Sequence, residues 1–291
     1  MAVDMGNPNI SALMIYYDRG DVESRRYFSD AVQSILDQTY KNIEIVLVVS
    51  GERSFARKLA LRSKKIRLFF QKESSFRGRT LAQRVHDLNS ARNICLKRAR
   101  GAYICWLDAD DISLPDRMQR QLAYLQMHPE IGLVGSSMIL VDGDNNTIGM
   151  RLAPETDAQI RRKFMQFNPI PQSTVMAYRK LLLDVGGYCL DEIAEDFELW
   201  VRLAKVTKFH NMKEPVIRYR VHKIAASTEY KLQLYLSSFR TKMRAVRTLS
   251  MFPGPSDLAV NAFQLISLLF PEGIRRTVLE RLRSRFVIGN K

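Results

Sequence analysis

The chain has 291 residues, enough for one large α/β domain or two modest ones, and with 46% hydrophobic and 26% charged residues its composition excludes disorder, collagen and coiled coil. The net charge of +15 is unevenly spread: residues 51–101 carry 15 Lys/Arg against 3 Asp/Glu and residues 218–291 carry 14 against 4, whereas 102–217 carry 12 against 16. Basic segments on either side of an acidic middle suit a protein that handles anionic ligands beside its own carboxylates. Nucleic acid, lipid headgroups and phosphorylated small molecules are all open at this level.

The opening residues MAVDMGNPNISALM lack a basic n-region and an apolar h-region. The longest uncharged apolar stretch, Leu258 to Pro271, contains Asn261 and Gln264 and falls short of the roughly 20 apolar residues a bilayer needs. A cytoplasmic protein is expected. Cys95, Cys105 and Cys189 are odd in number and too far apart for a Cys-x-x-Cys pair, so free buried thiols are expected rather than disulfides or a zinc site.

In chain order, Ile10–Tyr17 and Ile43–Val49 read as buried parallel strands, with a helix over Tyr27–Thr39 between them. A basic helix at Ser54–Lys64, a strand at Ile66–Phe70, a helix at Leu88–Arg100 and a strand at Ala102–Leu107 continue the alternation. Next come a helix at Leu114–Met127, a strand at Ile131–Val141, an irregular region over about 142–190 with a Gly186-Gly187-Tyr188 turn, and a helix at Glu195–Lys205 with an acidic first turn. Residues 230–291 read as helical and basic, interrupted at Pro253-Gly254-Pro255. Such alternation predicts a mostly parallel sheet with helices on both faces and a ligand site at the carboxyl ends of the strands.

At one such strand end stands Asp108-Ala109-Asp110-Asp111. Three carboxylates in four residues repel one another unless a cation sits among them, and hard oxygen ligands suit Mg²⁺ or Mn²⁺. Alone, Asp-x-Asp is also a common surface turn.

The stretches SILDQTYKNIEIVLVVSG, LNSARNICLKRARGAYICWLDADDISLPDRMQRQL and GGYCLDEIAEDFELWVRLA, in that order over about residues 10–228, resemble the family 2 glycosyltransferases of the GT-A fold. The resemblance implies a Rossmann-like α/β domain over 1–229, with a nucleotide-sugar half to about 111 and an acceptor half from about 112, followed by a helical extension over 230–291. It implies an inverting, metal-dependent enzyme of hexosyltransferase type that adds one sugar from a nucleotide-sugar, most simply a UDP-sugar, to a polysaccharide or lipid-linked glycan. By the same resemblance Tyr17 stacks on the nucleobase, Arg92 lies near the diphosphate, Asp108 faces the ribose, Asp110 holds the Mn²⁺ or Mg²⁺, Asp196 is the general base, and His222 approaches the metal or diphosphate. Bland alternatives stand beside these roles: Tyr17 as a strand cap, Arg92 paired with one of the nearby aspartates, Glu195 and Asp196 as helix N-terminal acids, and His222 as a structural histidine.

The sequence departs from the family where relatives have an acidic pair after the second strand, since Val48-Val49-Ser50-Gly51 stands there, and Glu73–Leu88 is longer and more basic than usual. No QxxRW pattern follows Glu195-Asp196, which points to single addition rather than processive synthesis. Two other functions compete. A nucleotidyltransferase would need a Gly-rich phosphate loop where YYDRGD stands, and a non-catalytic scaffold or binding module would draw on the basic surface. Nucleic acid is not an expected partner, because no nucleic-acid motif appears and aromatics do not interleave with the basic run. The apolar stretch LAVNAFQLISLLF, between basic clusters at Arg240–Arg247 and Arg275–Arg285, reads either as core packed on the domain or as a helix lying on an anionic membrane surface at the inner face.

Overall fold

The computed structural model describes residues 10–18, 20–71, 79–221 and 230–269. Strand β1 (Ile10–Asp18) leads into α1 (Val22–Leu36), which Asp21 caps by accepting from the Ser24 amide at 2.7 Å. Next come β2 (Ile43–Gly51), α2 (Ser54–Ala60) and β3 (Ile66–Phe70). Helix α3 spans Leu81–Arg98, seven residues longer at its start than apolar spacing predicts. Thr80 and Gln83 form a reciprocal capping box there, so the helix starts on capping chemistry within a polar stretch.

After β4 (Tyr103–Trp106) the acidic loop leads to a short β5 (Ile112–Ser113) and α4 (Arg117–Met127). The single strand expected over Ile131–Val141 is two: β6 (Ile131–Ser136) and β7 (Met138–Val141) belong to different sheets. The break falls at Ser137, whose amide turns to the Met212 carbonyl at 3.0 Å. The region expected to be irregular contains β8 (Thr147–Arg151), α5 (Asp157–Lys163), a 3₁₀ turn at Gln172–Thr174, β9 (Met176–Tyr178) and α6 (Arg179–Asp184). Helix α7 (Glu195–Leu203), β10 (Lys208–Met212), β11 (Ile217–Arg220), α8 (Lys231–Leu249) and α9 (Pro255–Ser267) follow.

The main sheet has the order β10-β6-β9-β4-β1-β2-β3 and is parallel except for β9, which runs antiparallel to both neighbours. A smaller sheet, β5-β11-β7-β8, flanks it. Alternating residues of β1 and β2 feed opposite faces. Ala12, Met14, Ile45 and Leu47 pack with Phe28, Val32 and Ile35 of α1, while Leu13, Val46 and Val48 join the apolar layer that holds Cys95 of α3 and Trp200 of α7. Both sheet faces are therefore covered, which explains why the strands read as continuous apolar runs. The chain travels outward from β1 through β2 to β3, then returns to place β4 on the other side of β1. That reversal opens a crevice at the carboxyl ends of β1 and β4.

Candidate functional site

Three acids stand at this crevice, in the loop that follows β4. The Asp108 amide donates to Ser173 Oγ at 2.9 Å, which ties the loop to the 3₁₀ turn. Asp111 is fully buried. One of its oxygens accepts from the Arg220 amide at 3.0 Å and the other has no hydrogen-bond partner among the described residues. Arg220 itself clamps the region: its guanidinium donates to the carbonyls of Asp110, Asp142 and Gly143 and lies 3.9 Å from the centre of the Tyr27 ring. Burial, and then the charge of Asp110, push the Asp108 and Asp111 carboxyls above the ordinary range; Arg92 pulls Asp108 back in part. The loop thus gathers three carboxylates that repel one another.

Within electrostatic reach of this loop is the start of α7. Helix α3 positions it through a clamp on the turn before it: Asn89 Nδ2 donates to the Cys189, Leu190 and Glu192 carbonyls at 2.9–3.1 Å, and Asn93 exchanges two 2.8 Å bonds with the Tyr188 backbone. Gly187, at φ +69°, completes the clamp; a Cβ there would meet Asn93 Oδ1 at 2.5 Å. One helical turn holds both the clamp and Arg92, whose guanidinium reaches Glu195 at 2.7 Å and lies over the Tyr188 ring, its centre 5.7 Å away.

Glu195 is raised to about 7, first by burial and then by its neighbour Asp196, against the opposing pull of Arg92. Asp196 is also raised by burial, opposed by Arg92, by the Phe197 amide on Oδ1 and by Asn168 Nδ2, which donates to Oδ2, the last two bonds both 2.7 Å long. Arg92 acts electrostatically on Asp108, Asp196 and Glu195 and so links the two acidic groups. Two further side chains share their field. Tyr219 on β11 is influenced by Asp111, Asp108 and Asp110, and Arg151 on β8 by Tyr219 and Asp196.

At the far side of the crevice β1 and β2 end in register, Tyr17 beside Ser50 and Asp18 beside Gly51. Ser50 donates to Gln71 Oε1 at 3.1 Å. Arg25 of α1 bridges buried Asp18, at 3.1 Å, to Glu52.

The profile of glycosyl transferase family 2 matches residues 11–185, the span that carries β1, Arg92 and the acid loop after β4 and stops short of the turn before α7. The chain belongs to this family. Among family relatives, the O-antigen biosynthesis glycosyltransferase WbnJ of Escherichia coli is 24% identical over 200 residues, 68% of this chain and 75% of its own. Two solved structures share the fold. S. aureus TarS 1-349 in complex with UDP-GlcNAc superposes at TM-score 0.61 and 14% identity, over 91% of this chain and 77% of that one. The mannosyltransferase PcManGT of Pyrobaculum calidifontis, in complex with GDP-Man and Mn²⁺, superposes at TM-score 0.56 and 16% identity, over 97% and 76%.

Of the residues the family resemblance nominated, Asp108, Asp110, Arg92 and Asp196 converge on one crevice, and Tyr17 lies at the end of the adjoining β1. His222 lies outside the described residues. Arg92 pairs with a carboxylate, as its bland alternative allowed, although the partner is Glu195 rather than a nearby aspartate. The sequence reading missed Asn168, Arg151 and Tyr219, which come from separate elements with no local motif, and took Tyr188 only as part of a turn. Asn89 and Asn93 were legible in principle, since two amides four residues apart share one helix face.

Proposed function

We propose that this family 2 glycosyltransferase takes a nucleotide-sugar, most simply a UDP-sugar, and moves one sugar with inversion to a hydroxyl of a polysaccharide or lipid-linked glycan. The observation that carries this reading is that Arg92 lies within electrostatic reach of both Asp196 and Asp108, so that α7 and the acid loop share one cation. Inversion needs a base and a leaving-group site on opposite sides of the donor sugar. The nucleotide-sugar complexes of TarS and PcManGT, and the O-antigen role in the name of WbnJ, support the donor and acceptor classes.

In this reading Asp196 accepts the proton of the attacking hydroxyl. Its Oδ1 accepts from the Phe197 amide and its Oδ2 from Asn168, and burial makes it a stronger base than an exposed aspartate. Arg92, held by Glu195, directs positive charge toward the diphosphate leaving group. Tyr17 stacks on the base and Asp108 faces the ribose. The family's acidic base contact is replaced at Ser50, whose hydroxyl is turned to Gln71.

The acid loop fits a divalent ion. Mutual repulsion adds to burial in raising Asp108 and Asp111, and one Asp111 oxygen is buried with no hydrogen-bond partner among the described residues. Among the described residues no group of three His, Cys, Asp or Glu side chains is placed to hold a metal ion by itself, and Mg²⁺ or Mn²⁺ sites typically use one or two carboxylates and complete their shell with water and phosphate. Asp110 would hold the ion, with His222 the second ligand by family resemblance, and when bound it would offset charge on the departing diphosphate. Residues 1–229 would form the transferase domain, with halves meeting near 111, and 230–291 an extension.

A donor-hydrolysis screen across UDP-, GDP-, dTDP- and CMP-sugars with Mn²⁺ or Mg²⁺ tests this reading. Metal-dependent turnover of one nucleotide class is expected. Binding of none of them, with no hydrolysis under either metal, would reject it in favour of a transferase-like scaffold.

A further inference from the structure

Helix α9 is amphipathic in the reverse of the usual sense. Its polar side chains face the protein: Asn261 donates to the Met165 carbonyl at 2.8 Å, Gln264 to the Gln166 carbonyl at 3.0 Å, and Asp257 accepts from Gln166 Nε2 at 2.6 Å. Lys242 of α8 reaches up from below, its Nζ donating to the Gln166 carbonyl at 2.9 Å and to Asn261 Oδ1 at 2.6 Å. The apolar side chains point away. Leu258, Leu265, Ile266 and Leu269 are 59, 48, 52 and 85% exposed, and Phe252 in the preceding turn is 76% exposed.

The exposed apolar surface continues onto α8. Leu232, Leu236 and Phe239 form a helical stripe there, and Tyr235, stacked on Phe239, donates to the Asn261 carbonyl of α9. A soluble helix buries its apolar stripe and wets its polar one. Here the polar face is fully engaged in docking and the apolar face is left without a partner among the described residues.

We infer that α8 and α9 form a docking surface for an anionic lipid bilayer, with the outward aliphatic side chains entering the interface. The charge selects this occupant. Arg240, adjacent to Phe239 and four residues beyond Leu236, is exposed, as is Arg247, and residues 218–291 carry 14 Lys/Arg against 4 Asp/Glu. Cations flanking an apolar face complement anionic headgroups. A second copy of the chain would instead bring two strongly basic segments together. Arg162, with Met165, Met251, Phe252 and Pro255, lines a cleft of about 400 Å³ beside the N-terminal end of the same face. Among the described residues no helix is long and apolar enough to cross a membrane, and at 13 residues α9 is about 20 Å long, so it would lie in the interface rather than span it.

The test is co-sedimentation of the full chain with vesicles of phosphatidylcholine alone or with one third phosphatidylglycerol, at low and high salt. The protein should pellet with the anionic vesicles only and be released by salt. Leu265→Glu with Ile266→Glu, both outward, should reduce binding about tenfold or more, and Arg240→Ala with Arg247→Ala should weaken it and flatten its salt dependence. The second pair leaves α9 intact and decides the matter if the first fails to fold. The inference is overturned if wild type stays in the supernatant with anionic vesicles at low salt, if neither pair changes binding, or if the chain is a dimer that the glutamate pair dissociates without any lipid binding.

Discussion

The Arg92 guanidinium of α3 meets the Glu195 carboxylate of α7 at 2.7 Å, with both side chains almost wholly enclosed. This pair holds a cation within electrostatic reach of both Asp108 and Asp196, and it gives Glu195, raised to about 7, a direct influence on its neighbour.

The pair predicts the acidic limb of the pH–rate profile. Both Glu195 and Asp196 are raised by burial, so the limb should lie above the ordinary carboxylate range, with apparent values belonging to the two acids together. Activity rises with pH as the base loses its proton. In Glu195→Gln the Arg92 charge is no longer shared with Glu195 and pulls harder on Asp196, so the limb should move to lower pH. A limb that stays in place when kcat/KM is measured from pH 4 to 8 would show that Glu195 has no hold on the base.

Asp196→Asn removes the proton acceptor while keeping the shape of the side chain. Donor binding should persist and kcat should fall by about 10²-fold or more. Lost donor affinity with intact turnover, seen by calorimetry and steady-state kinetics, would reassign the residue to donor binding.

Asp110→Asn should abolish metal-dependent nucleotide binding and transfer, with the melting temperature nearly unchanged, because it relieves repulsion among Asp108, Asp110 and Asp111 rather than breaking packing. Titration of Mn²⁺ with a nucleoside diphosphate reads this out. Full activity of wild type in EDTA would defeat it.

Gly51 closes β2 at φ +85°, and a Cβ there would meet the Asp18 carbonyl oxygen at 2.4 Å. Gly51→Ala should therefore cost about 1–3 kcal/mol and push apart the strand ends that carry Tyr17 and Ser50, raising KM for the donor more than it lowers kcat. An unchanged melting temperature would show that the ends relax freely.

Much of this site was legible because its parts lie on strong local signals. The runs ISALMIYY and IEIVLVV are strands buried on both faces, and AYICWL ends directly in the acid loop. The three-residue strand β9 was invisible, because its place between β4 and β6 is set by pairing with Ile104 and Val134 rather than by its own pattern. Arg151 and Tyr219 escaped for the same reason: the smaller sheet brings them to the crevice. The inverted α9 carried a signal in Asp257, Asn261, Gln264 and Ser267, which recur at helical spacing on one face inside an otherwise apolar run.

Lys242 should prove the fastening of α9. Its ammonium is lowered to about 8, mainly by burial, and it bonds the Gln166 carbonyl, Asn261 and, at 3.4 Å, Gln264. Lys242→Met keeps the aliphatic stem but leaves Asn261 Oδ1 without this donor, a loss of about 1–3 kcal/mol that should lower the melting temperature by several degrees. The sign of the pH dependence follows from the lowered value. Between about 8 and the ordinary 10.5 the unfolded chain binds more protons at this residue than the folded one, so wild-type stability should rise with pH relative to the variant across that window. Hydrogen exchange locates the effect: amides of α9 should lose protection in Lys242→Met while those of β1 and β2 keep theirs. Uniform loss across the chain would show instead that α9 unfolds only with the whole domain.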